Sequence, residues 1–85
     1  MNVLNSAEIY ARLLPLLHQS TSRPLDAPVS PDDRLEQDLG LDSIGFLTLG
    51  LYLEEAFGLD IGADVEAYGQ VITVADMVDF VAQRI

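Results

Sequence analysis

An alcohol directly after a carboxylate, where an irregular segment gives way to an apolar helical run, is the most chemically suggestive feature of the sequence: Leu41-Asp42-Ser43-Ile44-Gly45-Phe46. Asp42 is a good N-cap. Leu41 before it and Phe46 at the fourth helical position have the arrangement of a hydrophobic staple, so a helix is expected to start at Ser43. The Ser43 hydroxyl then stands exposed among backbone N–H groups with no partner inside the helix. A phosphoester is favoured there, but weakly, since the helix dipole stabilises an exposed anion at this end by only about 0.3–1 kcal/mol. Asp and Ser are also ordinary capping residues, so position alone leaves a purely structural reading open. A hydrolase with Ser43 as nucleophile is a third reading. It lacks a base, His18 being the only histidine, and a lone hydroxyl is weakly nucleophilic at neutral pH.

The totals narrow the choice. With 85 residues, 49% of them hydrophobic, the chain suffices for one domain, 1–85, and is too short for a binding domain plus a catalytic one. Fourteen acidic residues face four Arg and no Lys, for a formal charge of -10. Such a field repels nucleic acid and anionic lipid, steers basic surfaces inward and opposes self-association, so basic partners and a monomer are expected. Cys is absent, which excludes a disulfide framework, a thiolate nucleophile and a thiolate metal ligand. Any thiol chemistry must come from something attached. Met1 to Glu8 shows no basic segment leading into an apolar run, and nowhere do about 18 apolar residues follow one another, so a cytoplasmic protein without a membrane span is expected.

The elements that must position Ser43 follow from caps and periodicity. Asn5 and Glu8 make a capping box, after which Ile9, Leu13, Leu16 and Leu17 recur at helical spacing. Pro15 removes the bond to the Ala11 carbonyl, which predicts a kink or an early end near Leu14. Ser20 to Pro31 holds three Pro without apolar periodicity and reads as a long connection. Leu35 and Leu39 plug the following turn into the core, and Gly40 ends it. The second helix runs from Ser43 to about Phe57 and stops at Gly58, a residue suited to the left-handed conformation past a helix end. Ala63 to Tyr68 forms one or two helical turns before Gly69. Thr73 with Asp76 is a second capping box, and Val74, Met77, Val78, Val81 and Ile85 continue it as a closing helix. The expected fold is all-α, a small four-helix bundle of three main helices and one short one, with a long loop after helix one.

Leu35-Glu36-Gln37-Asp38-Leu39-Gly40-Leu41-Asp42-Ser43-Ile44 resembles the attachment segment of acyl and peptidyl carrier proteins. In that family Leu-Gly-x-Asp-Ser-Leu or Ile opens the second helix, and a phosphopantetheinyl transferase moves 4'-phosphopantetheine from coenzyme A to the serine. The resemblance gives that role to Ser43, with Asp42 as the cap beside it. It continues through Leu53-Glu54-Glu55-Ala56-Phe57-Gly58-Leu59-Asp60-Ile61 and Thr73-Val74, and so covers nearly the whole chain; helix one matches only in character. It implies a carrier rather than an enzyme. The arm supplies the missing thiol, and acyl groups held on it as thioesters are presented to loading, elongating or transferring enzymes at high effective concentration.

Helix two carries two apolar stripes. Phe46, Leu49, Gly50, Leu53 and Phe57 trace the expected buried face, while Ile44, Leu47, Thr48 and Leu51 form a neighbouring stripe that starts at the attachment serine. A small bundle can bury both, and Leu47 fits core or surface equally; Ile44 and Leu51 are expected outside. The resemblance implies docking through Ile44, Leu47, Leu51, Glu54 and Glu55. Gly45 and Thr48 stand where carriers of general fatty-acid synthesis usually have acidic residues. This departure suggests a dedicated carrier of a specialised fatty-acid, polyketide or aminoacyl pathway, whose enzymes have basic docking patches yet read a more apolar surface. An aminoacyl or peptidyl carrier and an unmodified, carrier-like acidic interaction module remain as alternatives. Gly50 costs about 1 kcal/mol relative to Ala, and either room for an acyl chain between helices or close helix packing would account for it. Asp32, Asp33, Glu36, Asp38 and Asp42 lack the spacing of a calcium loop and read as a solvated acidic loop, so no metal site is assigned. Tyr10, Tyr52 and Tyr68 read as bundle aromatics with hydroxyls near water.

Overall fold

Helix α1 (Ser6–Ser20) begins where the first capping box places it. The Asn5 side chain accepts the Glu8 N–H at 2.8 Å, and the Glu8 carboxylate accepts the Asn5 N–H at 3.3 Å. The structure, a computed structural model, describes residues 4–21 and 28–85. Of the kink or early end expected near Leu14, the early end does not occur, since α1 runs through Pro15 to Ser20. Pro15 and Ala11 are both exposed residues, so the loss of one bond between them falls on the solvent side of a helix that goes on to Ser20. Ile9, Leu13 and Leu17 are fully buried on the opposite side.

Of the long connection, residues 22–27 lie outside the described residues. Its later part is fastened to the far end of the chain. The Tyr10 hydroxyl donates to the Val29 carbonyl. Three backbone bonds then tie residues 31–35 to residues 72–75: Ala75 N–H to Pro31 C=O at 2.9 Å, Val74 N–H to Asp33 C=O at 3.0 Å, and Leu35 N–H to Ile72 C=O at 2.9 Å. The only extended pairing among the described residues is the isolated bridge between Arg34 and Thr73, and no strand forms there.

Helix α2 (Ser43–Phe57) starts and stops at the expected residues, with Gly58 left-handed at φ 68°. The short third element starts earlier than expected. A 3-10 turn over Ile61–Asp64 leads into α3 (Val65–Gly69), because the Asp60 carboxylate caps the Ala63 N–H at 3.3 Å and Ile61 is drawn into the core. Helix α4 (Val74–Ala82) opens on the Thr73–Asp76 capping box. Ile85 does not continue its buried stripe. The helix ends at Ala82, Ile85 is exposed, and Phe80 takes the buried place instead, while the Arg84 guanidinium turns back over the Phe80 ring at 3.7 Å and onto Asp64 at 2.9 Å. Helix α1 packs against both α2 and α4, and Leu13, Leu17, Leu49, Leu53, Val74, Met77 and Val81 fill the space between them. The fold is the expected all-α four-helix bundle.

Candidate functional site

Three buried leucines and one left-handed glycine aim the site. Leu35 and Leu39 sink into the core on either side of a turn that Gly40 closes at φ 74°. The closure is made by the Gly40 N–H on the Glu36 carbonyl at 3.0 Å, a five-to-one bond of the kind that ends helices on a left-handed residue, and by the Leu41 N–H on the Leu35 carbonyl at 2.9 Å. A side chain at position 40 would be strained in this conformation. Leu41 is buried directly after the turn, so Asp42 and Ser43 emerge at the surface.

Asp42 caps α2 as its residue type requires, its Oδ1 accepting the Gly45 N–H at 2.7 Å and its carbonyl accepting the Phe46 N–H at 2.9 Å. Ser43 is the first helical residue and is exposed. Beside it lies a cleft of about 310 Å³ lined by Gln37, Leu41, Ser43, Phe46, Val71 and Ile72 among others, with a mixed polar and apolar lining. Upstream, the Asp38 carboxyl is held below the usual carboxylate range by the Arg34 backbone N–H at 2.7 Å and then by its side-chain Nε at 3.3 Å. This pair braces the turn that delivers Ser43.

Gly45 has a reason that the sequence did not reveal. A Cβ there would lie 2.6 Å from the Ser20 carbonyl oxygen, so the end of α1 passes directly against the first turn of α2. Ser20 is itself buried, its hydroxyl donating to the Leu16 carbonyl at 2.7 Å. Only the tertiary contact creates the demand for glycine.

Leu49, Gly50 and Leu53 of the expected buried stripe are buried, and Phe46 and Phe57 pack partly against the core. On the second stripe Ile44 is 75% exposed, Leu47 66% and Leu51 65%, which places Leu47 at the surface with the other two. These three rise along α2 from Ser43. Glu55 is exposed at the far end, whereas the Glu54 carboxylate accepts the Ile61 N–H at 2.9 Å and holds the segment after α2. His18 is an exposed residue in the last turn of α1. Two tyrosines differ from expectation. Tyr68 is buried and its hydroxyl donates to the Phe46 carbonyl at 2.6 Å, while that of Tyr10 is spent on Val29. Among the described residues, no three carboxylate or imidazole side chains gather in a way that could hold a metal ion, and no helix is long and apolar enough to cross a membrane.

Comparison with known proteins places this geometry. The sequence pattern of the phosphopantetheine attachment site matches residues 11–81. The acyl carrier protein of Guillardia theta is 28% identical over 82 residues, covering 96% of this chain and 98% of that protein. The acyl carrier protein of Rubrobacter xylanophilus is 38% identical over 59 residues, covering 69% of this chain and 70% of that one. No solved structure matches at comparable significance. The matched span takes in most of α1, all of α2 and α3, the turn that delivers Ser43 and nearly all of α4, and the chain belongs to the carrier-protein family whose prosthetic group is phosphopantetheine.

Proposed function

We propose that the chain is an acyl carrier protein that holds acyl groups as thioesters on a 4'-phosphopantetheine arm joined to Ser43. The observation that carries this reading is the exposed Ser43 hydroxyl on the first turn of α2, capped by Asp42 and presented by the Leu39-Gly40-Leu41 turn. The residues fit the group. A primary alcohol is the chemistry a phosphodiester needs, the adjacent helix start favours its negative charge, and the neighbouring cleft of about 310 Å³ has a mixed polar and apolar lining. Both relatives named above are acyl carrier proteins, which supports acyl over aminoacyl cargo.

When bound, the arm supplies a flexible tether ending in a thiol, which this Cys-free chain lacks. The chain's own residues do the positioning. Asp42 fixes the start of α2, Gly45 lets that start lie against α1, and the buried Leu35, Leu39 and Leu41 anchor the approach to Ser43. Ile44, Leu47 and Leu51 form the docking ridge, with Glu55 at its far end and Glu54 shared between docking and the Ile61 cap. From Ser43 to Leu53 helix α2 carries no carboxylate, so enzymes that read this face need an apolar socket with basic residues toward its far rim. This supports a specialised fatty-acid or polyketide-type pathway. The transferase and the loading, elongating and transferring enzymes are the partners. The charge of -10 supports a monomer, and the composition a cytoplasmic setting, for this single carrier domain.

The test is the intact mass after incubation with coenzyme A, Mg²⁺ and a broad-specificity phosphopantetheinyl transferase. One phosphopantetheine increment on the native chain and none on Ser43→Ala is the expected result. An unchanged mass of folded protein with several transferases would instead make the chain an unmodified interaction module.

A further inference from the structure

The space beside Gly50 is already filled, and by one residue. A Cβ at Gly50 would meet Cε2, Cζ and the hydroxyl oxygen of Tyr68, each at 3.3 Å. Tyr68 comes from α3 and is buried, with its ring stacked on Phe46 at 4.3 Å between centroids and 18° between planes. The edge contact with Phe80 of α4 is at 5.6 Å. Its hydroxyl reaches the Phe46 carbonyl at 2.6 Å. That carbonyl lies one helical turn before position 50, and a side chain there would crowd the approach, so the glycine serves as the seat of the Tyr68 hydroxyl. Behind the ring, Phe80 is braced by the Arg84 guanidinium at 3.7 Å, itself held by Asp64 at 2.9 Å and by the Phe80 carbonyl at 2.9 Å.

We propose that Tyr68 is a specificity-determining residue that closes the bundle interior to cargo, so that this carrier serves short or polar acyl groups rather than long hydrocarbon chains. The inference rests on the carrier reading above. Phe46 lines the cleft beside Ser43, and Tyr68 lies directly behind it. For a chain to pass from that cleft to the buried Leu49 and Met77, Tyr68 must give up its hydroxyl bond, the Phe46 stack, the Phe80 edge contact and its place on Gly50 together. Packed interiors resist such partial openings, because each lost contact leaves a void or an unpaired polar group. A long apolar chain on the arm therefore stays in water, at a disadvantage that grows with every methylene. A short acyl group, or one bearing hydroxyl or amino groups, carries no such handicap.

The test loads acetyl or octanoyl arms onto the full chain from the corresponding acyl-coenzyme A with a promiscuous transferase. Thioester hydrolysis is then compared with that of the same acyl groups on free pantetheine. Expected for the native chain is protection of about one for both groups, as for a cargo that samples no interior state, with Leu49 and Met77 methyl resonances unchanged between the two. In Tyr68→Ala the octanoyl thioester should hydrolyse roughly tenfold more slowly than its free counterpart, the ratio for a chain inside nine-tenths of the time. Tyr68→Leu, which removes the ring but keeps an apolar side chain, replaces Tyr68→Ala if that variant fails to fold. Octanoyl protection in the native chain, or a folded ring-deleted variant without it, would overturn the proposal. If neither arm adds mass at Ser43, the carrier reading itself falls, and this inference with it.

Discussion

Replacing Gly45 by Ala opposes two effects of similar size, and the structure says which wins. In a helix interior Gly→Ala gains about 1 kcal/mol from backbone entropy and propensity. Here the new methyl group would sit 2.6 Å from the Ser20 carbonyl oxygen, about 0.7 Å inside the ~3.3 Å at which carbon and a carbonyl oxygen ordinarily meet. The obstacle is backbone, at the end of a helix whose Ser20 is buried and bonded to Leu16, so no side chain can swing aside. Overpacking of this kind costs about 1–3 kcal/mol, which leaves a net loss of about 1 kcal/mol. For a domain of this size that is a fall in Tm of about 4–8 °C, read by thermal unfolding followed by circular dichroism. Because the strain enters at the first turn of α2, the rate of phosphopantetheine loading at Ser43 should fall as well. Gly50→Ala is the control: its methyl meets the Tyr68 side chain at 3.3 Å, a smaller conflict with a partner that can shift, so its Tm should lie above that of Gly45→Ala. A Tm for Gly45→Ala equal to or above that of the native chain would refute the reasoning.

Asp42→Ala deletes the N-cap of α2 and should lower stability by about 1 kcal/mol in urea unfolding, with slower loading at Ser43. Leu47→Asp changes an exposed position, so stability should stay within about 0.5 kcal/mol, while kcat/KM for loading by the transferase drops; unchanged loading would remove Leu47 from the docking ridge. The Asp76 carboxyl is held below its usual range mainly by the Thr73 N–H, with the Ile72 N–H adding to it. Its stabilising contribution is therefore present above the unfolded-state value near 3.9 and disappears as pH falls through the lower folded value. The stability gap between the native chain and Asp76→Asn should narrow below about pH 4 in an acid titration of Tm. Burial pushes the Tyr68 phenol up, so its neutral form is favoured in the fold and its contribution is complete below about pH 10, then lost as pH rises further. Tyr68→Phe should unfold less steeply with alkali, as followed by tyrosinate absorbance and circular dichroism together.

What could be read from the sequence was what depends on neighbours in the chain. The Asn5–Glu8 and Thr73–Asp76 capping boxes, the Asp42 cap and the left-handed Gly58 each involve residues within a few positions of one another, and all formed as expected. The attachment motif is legible for the same reason, since the Leu35 and Leu39 anchors and the Gly40 turn lie within nine residues of Ser43. The failures were tertiary. Whether Pro15 breaks α1 depends on which face it occupies, and the solvent face tolerates it. The demand for glycine at position 45 comes from Ser20, the seat at Gly50 from Tyr68, and the second duty of Glu54 from Ile61. Ile85 fits the helical period, but Arg84 turns back toward Asp64 and Phe80 and α4 ends before it.

The chain's cations are all guanidinium groups, and two of them, Arg34 and Arg84, are held against Asp38 and Asp64. A guanidinium stays protonated and offers no lone pair at neutral pH, unlike the amine of a lysine or the thiolate of a cysteine. The chain has neither of those residues. A thioester on the arm proposed at Ser43 would thus sweep a surface on which no side-chain amine or thiol can capture its acyl group. Apart from the exposed imidazole of His18, such a carrier would offer its own cargo no side-chain nucleophile of that kind, and transfer would wait for one brought by the enzyme that docks.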